Sequence, residues 1–303
     1  MKGVIKKRHI ALQGAIALLF TMALLSGCGL TIAQKKAVTD FTSATAVVGK
    51  TASAELARMR EEVISMNVYR IQLVGEKKDA PGLDKLEEQF TIEATVARQR
   101  ATEALKSYGE LLEALVETDQ AENIKKSSDA LVGSFHDLPD SYRNISQDKL
   151  DAIGKALQAA GGSWIEWKKG DAIKTVVNNT NAQIAHLCDL LKDDFDPEAD
   201  GKLASQFLNT TERLLVDADE VIGKSKSFEE RTVAIAAYQK ARENRVRRDM
   251  IVKPLSVSIG KIKDANNELV KVVNSTEFTD KDIEALQKNV KILNDTVRVL
   301  AKK

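Results

Sequence analysis

Residues that could carry out chemistry are few in this chain of 303 residues. Only three histidines occur, and neither His136 nor His186 has a Glu or His four residues further on. The sequence contains no H-E-x-x-H zinc motif, no G-x-S-x-G nucleophile motif and no glycine-rich phosphate loop. We therefore expect no catalytic residue, no metal site and no cofactor, and an enzyme of unrecognised type is the least favoured interpretation.

An acidic segment between two predicted helices has the spacing of metal ligands. It resembles the first half of an EF-hand calcium loop, with carboxylates at loop positions 1, 3 and 5, a glycine and an aliphatic residue: Asp196, Glu198, Asp200, Gly201 and Leu203. Loop position 12, where a glutamate normally completes the coordination, is Phe207. We favour the alternative that the three carboxylates cap the following helix and interact with its positive N-terminal end.

Two further clusters could bind a partner or a lipid surface. Arg242, Arg245 and Arg248 recur every three residues on a predicted helix, so they share a face that could contact anionic headgroups or an acidic protein. Trp164 and Trp167 precede two lysines and could form an interfacial anchor or a binding hot spot. The alternatives, which we favour, are a solvated helix face for the arginines and core packing for the tryptophans.

The N-terminus has the three parts of a secretory leader. A cationic start (Lys2, Lys6, Lys7 and Arg8) is followed by an apolar run from Ile10 to Leu25 and by the small pair Ser26-Gly27. A retained transmembrane helix is the alternative, but this run is about 16 residues long, whereas a membrane span needs about 20. We therefore expect residues 1–27 to be a cleaved signal peptide.

The end of this leader, Leu25-Ser26-Gly27-Cys28, resembles the lipobox of bacterial lipoproteins. The resemblance implies that Cys28 becomes the first residue of the mature protein and carries acyl chains that hold it in a membrane. In that family an Asp after the cysteine directs the protein to the inner membrane. The residue here is Gly29, which implies the outer membrane, facing the periplasm.

Composition narrows the function of the remaining chain. Removing the four basic residues of the leader leaves 41 Lys and Arg against 44 Asp and Glu, a balance that does not indicate nucleic-acid binding. Cys188 is then the only free thiol, so no disulfide forms within the chain, and we expect it to be a small buried residue.

Hydrophobic periodicity predicts long helices throughout. Spacings of three and four residues predict one helix from about Val38 to Glu76 and another from Leu83 to about Val116. A shorter helix is predicted from Asp119 to Phe135, and another begins at Ser146. A break at residues 178–181 is predicted to start the helix that contains His186 and Cys188. Two more helices are predicted to begin at Asp196-Pro197 and at the capping box of Ser227. No alternating pattern predicts a strand.

The C-terminal part predicts an antiparallel helix pair. Its last seam is Ile283, Leu286, Val290, Leu293, Val297 and Leu300, and the preceding seam is Leu255, Ile259, Ile262, Asn266, Leu269 and Val273. Asn266 interrupts an apolar seam, where a polar residue typically fixes register at some cost in stability.

The sequence thus predicts an all-α, elongated antiparallel bundle with long coiled-coil-like helices. Residues 28–37 are the lipidated N-terminus and linker, and residues 38–303 are the bundle, with a subdivision near residue 140 left open. The function we expect is a non-catalytic interaction or scaffold module with a protein partner in the envelope. The alternatives are an immunity lipoprotein that neutralises a toxin and a ligand- or Ca²⁺-sensing module.

Overall fold

A computed structural model of the protein describes residues 32–75, 81–117, 121–159, 166–275 and 280–301. Nine α-helices occupy these ranges, and none of the residues in them belongs to a β-strand. In chain order the helices are α1 (Ile32–Val74), α2 (Ile92–Glu117), α3 (Ala121–His136), α4 (Gln147–Ala159), α5 (Glu166–Asp194), α6 (Leu203–Lys224), α7 (Phe228–Arg247), α8 (Lys253–Asn274) and α9 (Asp280–Ala301). The predicted all-α fold is confirmed.

The longest helix, α1, has 43 residues and is therefore about 64 Å long at 1.5 Å per residue. Its core-facing positions recur at spacings of three and four: Val38, Phe41, Thr45, Val48, Ala52, Leu56, Met59, Val63 and Met66. The helix begins at Ile32, so residues 32–37 of the predicted linker are helical, and Ala37 is already buried.

Helices α1 and α2 pack in opposite directions and unusually closely. Gly49 of α1 lies against Thr102 of α2, and Gly109 of α2 lies against Thr42 of α1. A Cβ built on Gly109 would come within 2.7 Å of the Thr42 carbonyl oxygen, and one built on Gly49 within 2.9 Å of the Thr102 carbonyl oxygen. Glycine at both positions therefore lets the two backbones touch.

Helices α5 and α8 form a second antiparallel pair. Lys263 donates to Asp189 at 2.7 Å, and Asn178 and Asn274 exchange two amide hydrogen bonds nearer the start of α5. Helix α9 packs against both α8 and α1.

A buried polar cluster connects the two pairs. The Tyr108 hydroxyl of α2 donates to Oδ1 of Asn266 in α8 at 2.5 Å. The Asn266 amide then donates to Oδ1 of Asn181 in α5 at 2.7 Å. Tyr108 and Asn266 are almost completely buried, so these hydrogen bonds fix the mutual register of three helices.

Helices α6 and α7 form a hairpin that packs on the C-terminal half of α1. Arg70 Nε donates to Asp217 of α6 at 2.8 Å, and Lys240 of α7 donates to Glu62 at 2.9 Å. The Ser227 hydroxyl caps α7 by accepting from the Glu230 amide, as the capping box predicts.

The chain passes from α7 to α8 through a π-helical segment, Arg248–Val252. Pro254 lies at the start of α8, where it cannot donate to a carbonyl in the preceding turn. The wider π turn allows the chain to remain helical beside this proline.

The predicted break at residues 178–181 is wrong, because α5 continues through it. The Thr180 hydroxyl donates to the Val176 carbonyl at 2.9 Å, and the Asn179 amide donates to the Thr175 carbonyl at 2.8 Å. These polar side chains bond within the helix instead of ending it.

Two predicted helix starts are also wrong. Helix α2 begins at Ile92 rather than Leu83, after a 3₁₀ turn over Leu83–Lys85. Helix α6 begins at Leu203 rather than Asp196, after Gly201 with φ of +70°. Before α2, the 3₁₀ turn interrupts the helical pattern of apolar residues. Before α6, the left-handed conformation of Gly201 ends the preceding turn, so the helix can begin only after it.

One continuous hydrophobic cluster contains residues from all nine described helices. It includes Leu105 and Leu131 before residue 140, and Ile153 and Leu191 after it. In the described chain, the residues before and after position 140 therefore share one hydrophobic core.

Candidate functional site

A concave groove with a volume of about 800 Å³ lies between α3 and α4. Its lining residues include Ile124 and Val132 of α3 and Leu150 and Leu157 of α4. This volume falls within the usual range of ligand sites, about 300–1,000 Å³. We refer to it as the α3–α4 groove.

Two glycines and four charged residues line the α3–α4 groove. Gly133 and Gly154 both line it, and a Cβ added to either would meet no atom within 4 Å. Lys125 and Asp129 lie four residues apart on α3, as do Asp151 and Lys155 on α4.

Two lysines, Lys125 and Lys155, therefore line the groove together with two aspartates, Asp129 and Asp151. Lys125, Asp129 and Lys155 are exposed and make no ion pair within the described part of the chain. An occupant with an acidic group near the lysines would therefore find two unneutralised cations.

The histidines and the buried cysteine do not form a reactive site. His136 is exposed at one end of the α3–α4 groove, whereas the His186 ring lies 3.1 Å from the Ser141 carbonyl oxygen. Cys188 is fully buried, and burial raises the pKa of its thiol well above the ordinary range. Among the residues that the structure describes, no three His, Cys, Asp or Glu side chains are grouped so as to hold a metal ion.

The acidic loop is not organised as a calcium site. The Asp196 carboxylate accepts from the Glu198 amide at 2.9 Å, and the Glu198 carboxylate lies 3.5 Å from Lys253. Phe207, at the twelfth loop position, is in the hydrophobic core. The favoured helix-cap interpretation is also wrong, because no acidic side chain lies in the first turn of α6 and its N-cap is Lys202.

The three arginines predicted to share a face have different environments. Arg245 Nε donates to Glu212 of α6 at 2.7 Å, and Arg248 Nε donates to its neighbour Asp249 at 2.8 Å. Arg242 is exposed and makes no ion pair with any described residue. A free cation therefore remains at one of the three positions.

The other predicted contact residues are placed only in part. Cys28 and Trp164 lie outside the described residues. Trp167 lies in the first turn of α5, and its side chain is likewise outside the description. The lipid anchor and the tryptophan cluster therefore stay predictions.

Buried charges lie between helices rather than around a cavity. Glu55 of α1 is almost fully buried and accepts from Arg247 Nε at 2.8 Å. Burial raises the pKa of the Glu55 carboxyl despite this guanidinium. Asp194 of α5, also buried, accepts from Arg98 Nε of α2 at 2.7 Å. These pairs lock neighbouring helices together.

Sequence reasoning missed the α3–α4 groove. Its polar residues belong to ordinary charged helix faces. The sequence feature that could have indicated the groove is a glycine in each of its two helices, Gly133 and Gly154. Both helices have 16 residues or fewer, and glycine lowers the stability of a helix. A glycine inside so short a helix is compatible with close packing or with an open surface.

No protein family matches the chain, and neither a curated protein sequence nor a solved structure matches it. The helices within the described ranges include none that is sufficiently long and apolar to cross a membrane.

Proposed function

We propose that this protein is a lipid-anchored, non-catalytic interaction or scaffold module of the bacterial envelope. The observation that carries the proposal is the complete leader ending in Leu25-Ser26-Gly27-Cys28. Acyl chains on Cys28 would hold the mature chain at a membrane, and Gly29 favours the outer membrane.

The position of the bundle supports a tethered module. Helix α1 begins at Ile32, four residues after Cys28. An extended connection of this length spans at most about 14 Å. The bundle would therefore stay next to the bilayer and present its helix faces to other envelope components.

The α3–α4 groove supports binding of a protein helix with acidic side chains. Its apolar lining would accept the apolar face of such a helix, and Lys125 and Lys155 would pair with its carboxylates. An immunity lipoprotein remains the alternative within the same class, with a toxin as the partner. Nothing in the acidic loop favours the Ca²⁺-sensing alternative, since Phe207 fills the core instead of supplying a ligand.

Metabolic labelling with palmitate tests the anchor. The wild-type chain should incorporate the label and fractionate with membranes, whereas Cys28→Ser should do neither. An unmodified thiol at Cys28 in the native protein would overturn the anchoring.

Photo-crosslinking in intact cells tests the binding surface. A photoreactive residue at Lys125 or Lys155 should capture one protein, and the same residue at the exposed Lys271 of α8 should not. Capture should fall in Lys125→Glu/Lys155→Glu. If no protein is captured at either groove position, the interaction surface is wrong even where the anchor holds.

A further inference from the structure

Helix α7 exposes three of its larger apolar side chains, although Tyr238 packs partly buried against the core. The residues that it buries against the bundle are small or polar: Ala234, Ala237, Ala241 and Asn244. Its exposed apolar residues are Phe228, Ile235 and Val246, with exposed fractions of 88%, 45% and 55%. A helix that only covered a core would show the opposite distribution.

The exposed row continues through the π-helical segment into α8. Met250 and Val257 are 42% and 48% exposed. Successive members of the row are separated by four or seven residues, which places neighbours on one side of a helix. We call this set the outer row: Phe228, Ile235, Arg242, Val246, Met250 and Val257.

Near the middle of the outer row, its member Arg242 is followed in sequence by a residue of opposite charge, Glu243. Arg242 and its neighbour Glu243 are both exposed, and neither makes an ion pair with a described residue. Ile235 and Phe228 lie seven and fourteen residues before Arg242, while Met250 and Val257 lie seven and fourteen residues after Glu243. Two apolar pairs of the row are therefore placed symmetrically about residues 242 and 243, while Val246 has the exposed Gln239 as its counterpart.

A two-fold interface needs this kind of self-complementarity, since residue i of one subunit contacts residue j of the other and the reverse. We infer that the outer row binds a second copy of this chain, with the two α7 helices antiparallel. Arg242 of each copy then meets Glu243 of the other. Ile235 lies opposite Met250, and Phe228 lies opposite Val257.

This arrangement pairs the exposed charges and buries the exposed apolar side chains of the outer row. The charges of the central pair cancel, so the partner brings neither an unpaired cation nor an unpaired anion into the contact. The row spans 30 residues, about 45 Å of helix. Exposed apolar side chains grouped on one face and flanked by polar residues can mark a protein interface.

Charge exchange between two variants gives the decisive test. The chain without residues 1–27 and carrying Cys28→Ser keeps every described helix and avoids detergent. Its mass is measured by analytical ultracentrifugation over a dilution series, and each variant is checked by circular dichroism for the wild-type fold. Wild type should dimerise, while Arg242→Glu alone and Glu243→Arg alone should each dimerise at least about tenfold more weakly.

Mixing the two single variants should restore the dimer. In the mixed dimer Glu at 242 faces Arg at 243 of the other copy, and the second pair remains Arg242 with Glu243. The double variant Arg242→Glu/Glu243→Arg should also dimerise by itself. A different protein partner would not produce either rescue.

A matched pair of apolar variants supplies the control. Val246→Glu should abolish the dimer, whereas Val299→Glu should not, although Val299 of α9 is similarly exposed at 49%. A wild-type chain that stays monomeric at every concentration would refute the inference. So would a dimer that is insensitive to Arg242→Glu.

Discussion

Replacing Gly109 by alanine tests the backbone contact between α1 and α2. The new Cβ would lie 2.7 Å from the Thr42 carbonyl oxygen and 3.2 Å from the Ala46 amide nitrogen. Both are backbone atoms of α1 and cannot rotate away as a side chain can. The two helices must therefore separate, which weakens packing on either side of the contact.

The sign of the effect follows from two opposing contributions. Alanine in place of a helical glycine favours the helix by about 1 kcal/mol. Overpacking costs about 1–3 kcal/mol, and an overlap with backbone belongs in the upper part of that range. We expect a net loss of about 1–2 kcal/mol in the free energy of unfolding, which lowers Tm by roughly 2–8 °C.

Gly133→Ala in α3 is the matched control, since its Cβ would meet no atom within 4 Å. It should gain stability by about 1 kcal/mol from helix propensity alone. Urea and thermal unfolding followed by far-UV circular dichroism would measure both variants. If Gly109→Ala is as stable as Gly133→Ala, the two backbones are not in contact and the reasoning is refuted.

Three further predictions concern buried polar groups. Asn266→Leu should lower the free energy of unfolding by about 1–3 kcal/mol, because the Tyr108 hydroxyl loses its buried acceptor; adding Tyr108→Phe should then cost little more in chemical denaturation. The raised pKa of Glu55, ordinarily 4.5, means that the folded state binds more protons than the unfolded state above that pH. The stability of wild type relative to Glu55→Gln should therefore fall as pH rises from the ordinary value through the raised one. In a Cys28→Ser chain, Cys188 should react with a thiol reagent only on unfolding, because burial hides the sulfur and raises its pKa.

Each of these predictions has an outcome that contradicts it. Additive losses in the Asn266→Leu and Tyr108→Phe variants would show that their side chains do not act together. A stability difference for Glu55→Gln that does not change with pH would contradict the raised carboxyl pKa. Labelling of native Cys188 as fast as in urea-unfolded protein would contradict its burial.

The sequence predicted the fold class because long seams on spacings of three and four residues have few alternatives to helix. In α8 the predicted seam from Leu255 to Leu269 is buried at every position, including Asn266. The cap at Ser227 was also predictable, since it depends on residues only three apart.

Helix boundaries were harder to predict where polar residues bond locally. Thr180 belongs to a run that is typical of a helix break, yet its hydroxyl bonds within α5. The Asp196 carboxylate closes a turn of its own instead of starting α6. Which of these outcomes occurs depends on the neighbouring helices, so the local sequence does not decide it.

The candidate surfaces were the least predictable part. Gly109 and Gly133 are both mid-helix glycines, but one touches a neighbouring backbone and the other faces open space. Likewise Arg242 and Arg245 share a charge pattern, and only the position of Glu212 on α6 distinguishes the free arginine from the paired one. Such differences arise from tertiary packing, which a single sequence does not display.

The direction of α7 determines how two membrane anchors would be arranged. Since α7 runs antiparallel to α1, an antiparallel pair of α7 helices also points the two α1 helices in opposite directions. Lys240 and Asn244 contact Glu62, which lies 30 residues along α1 from Ile32. The two N-termini of the pair would thus be about 90 Å apart, at opposite ends. With so short a connection to each proposed lipid anchor, such a pair would reach a single bilayer with both anchors only by lying flat on it.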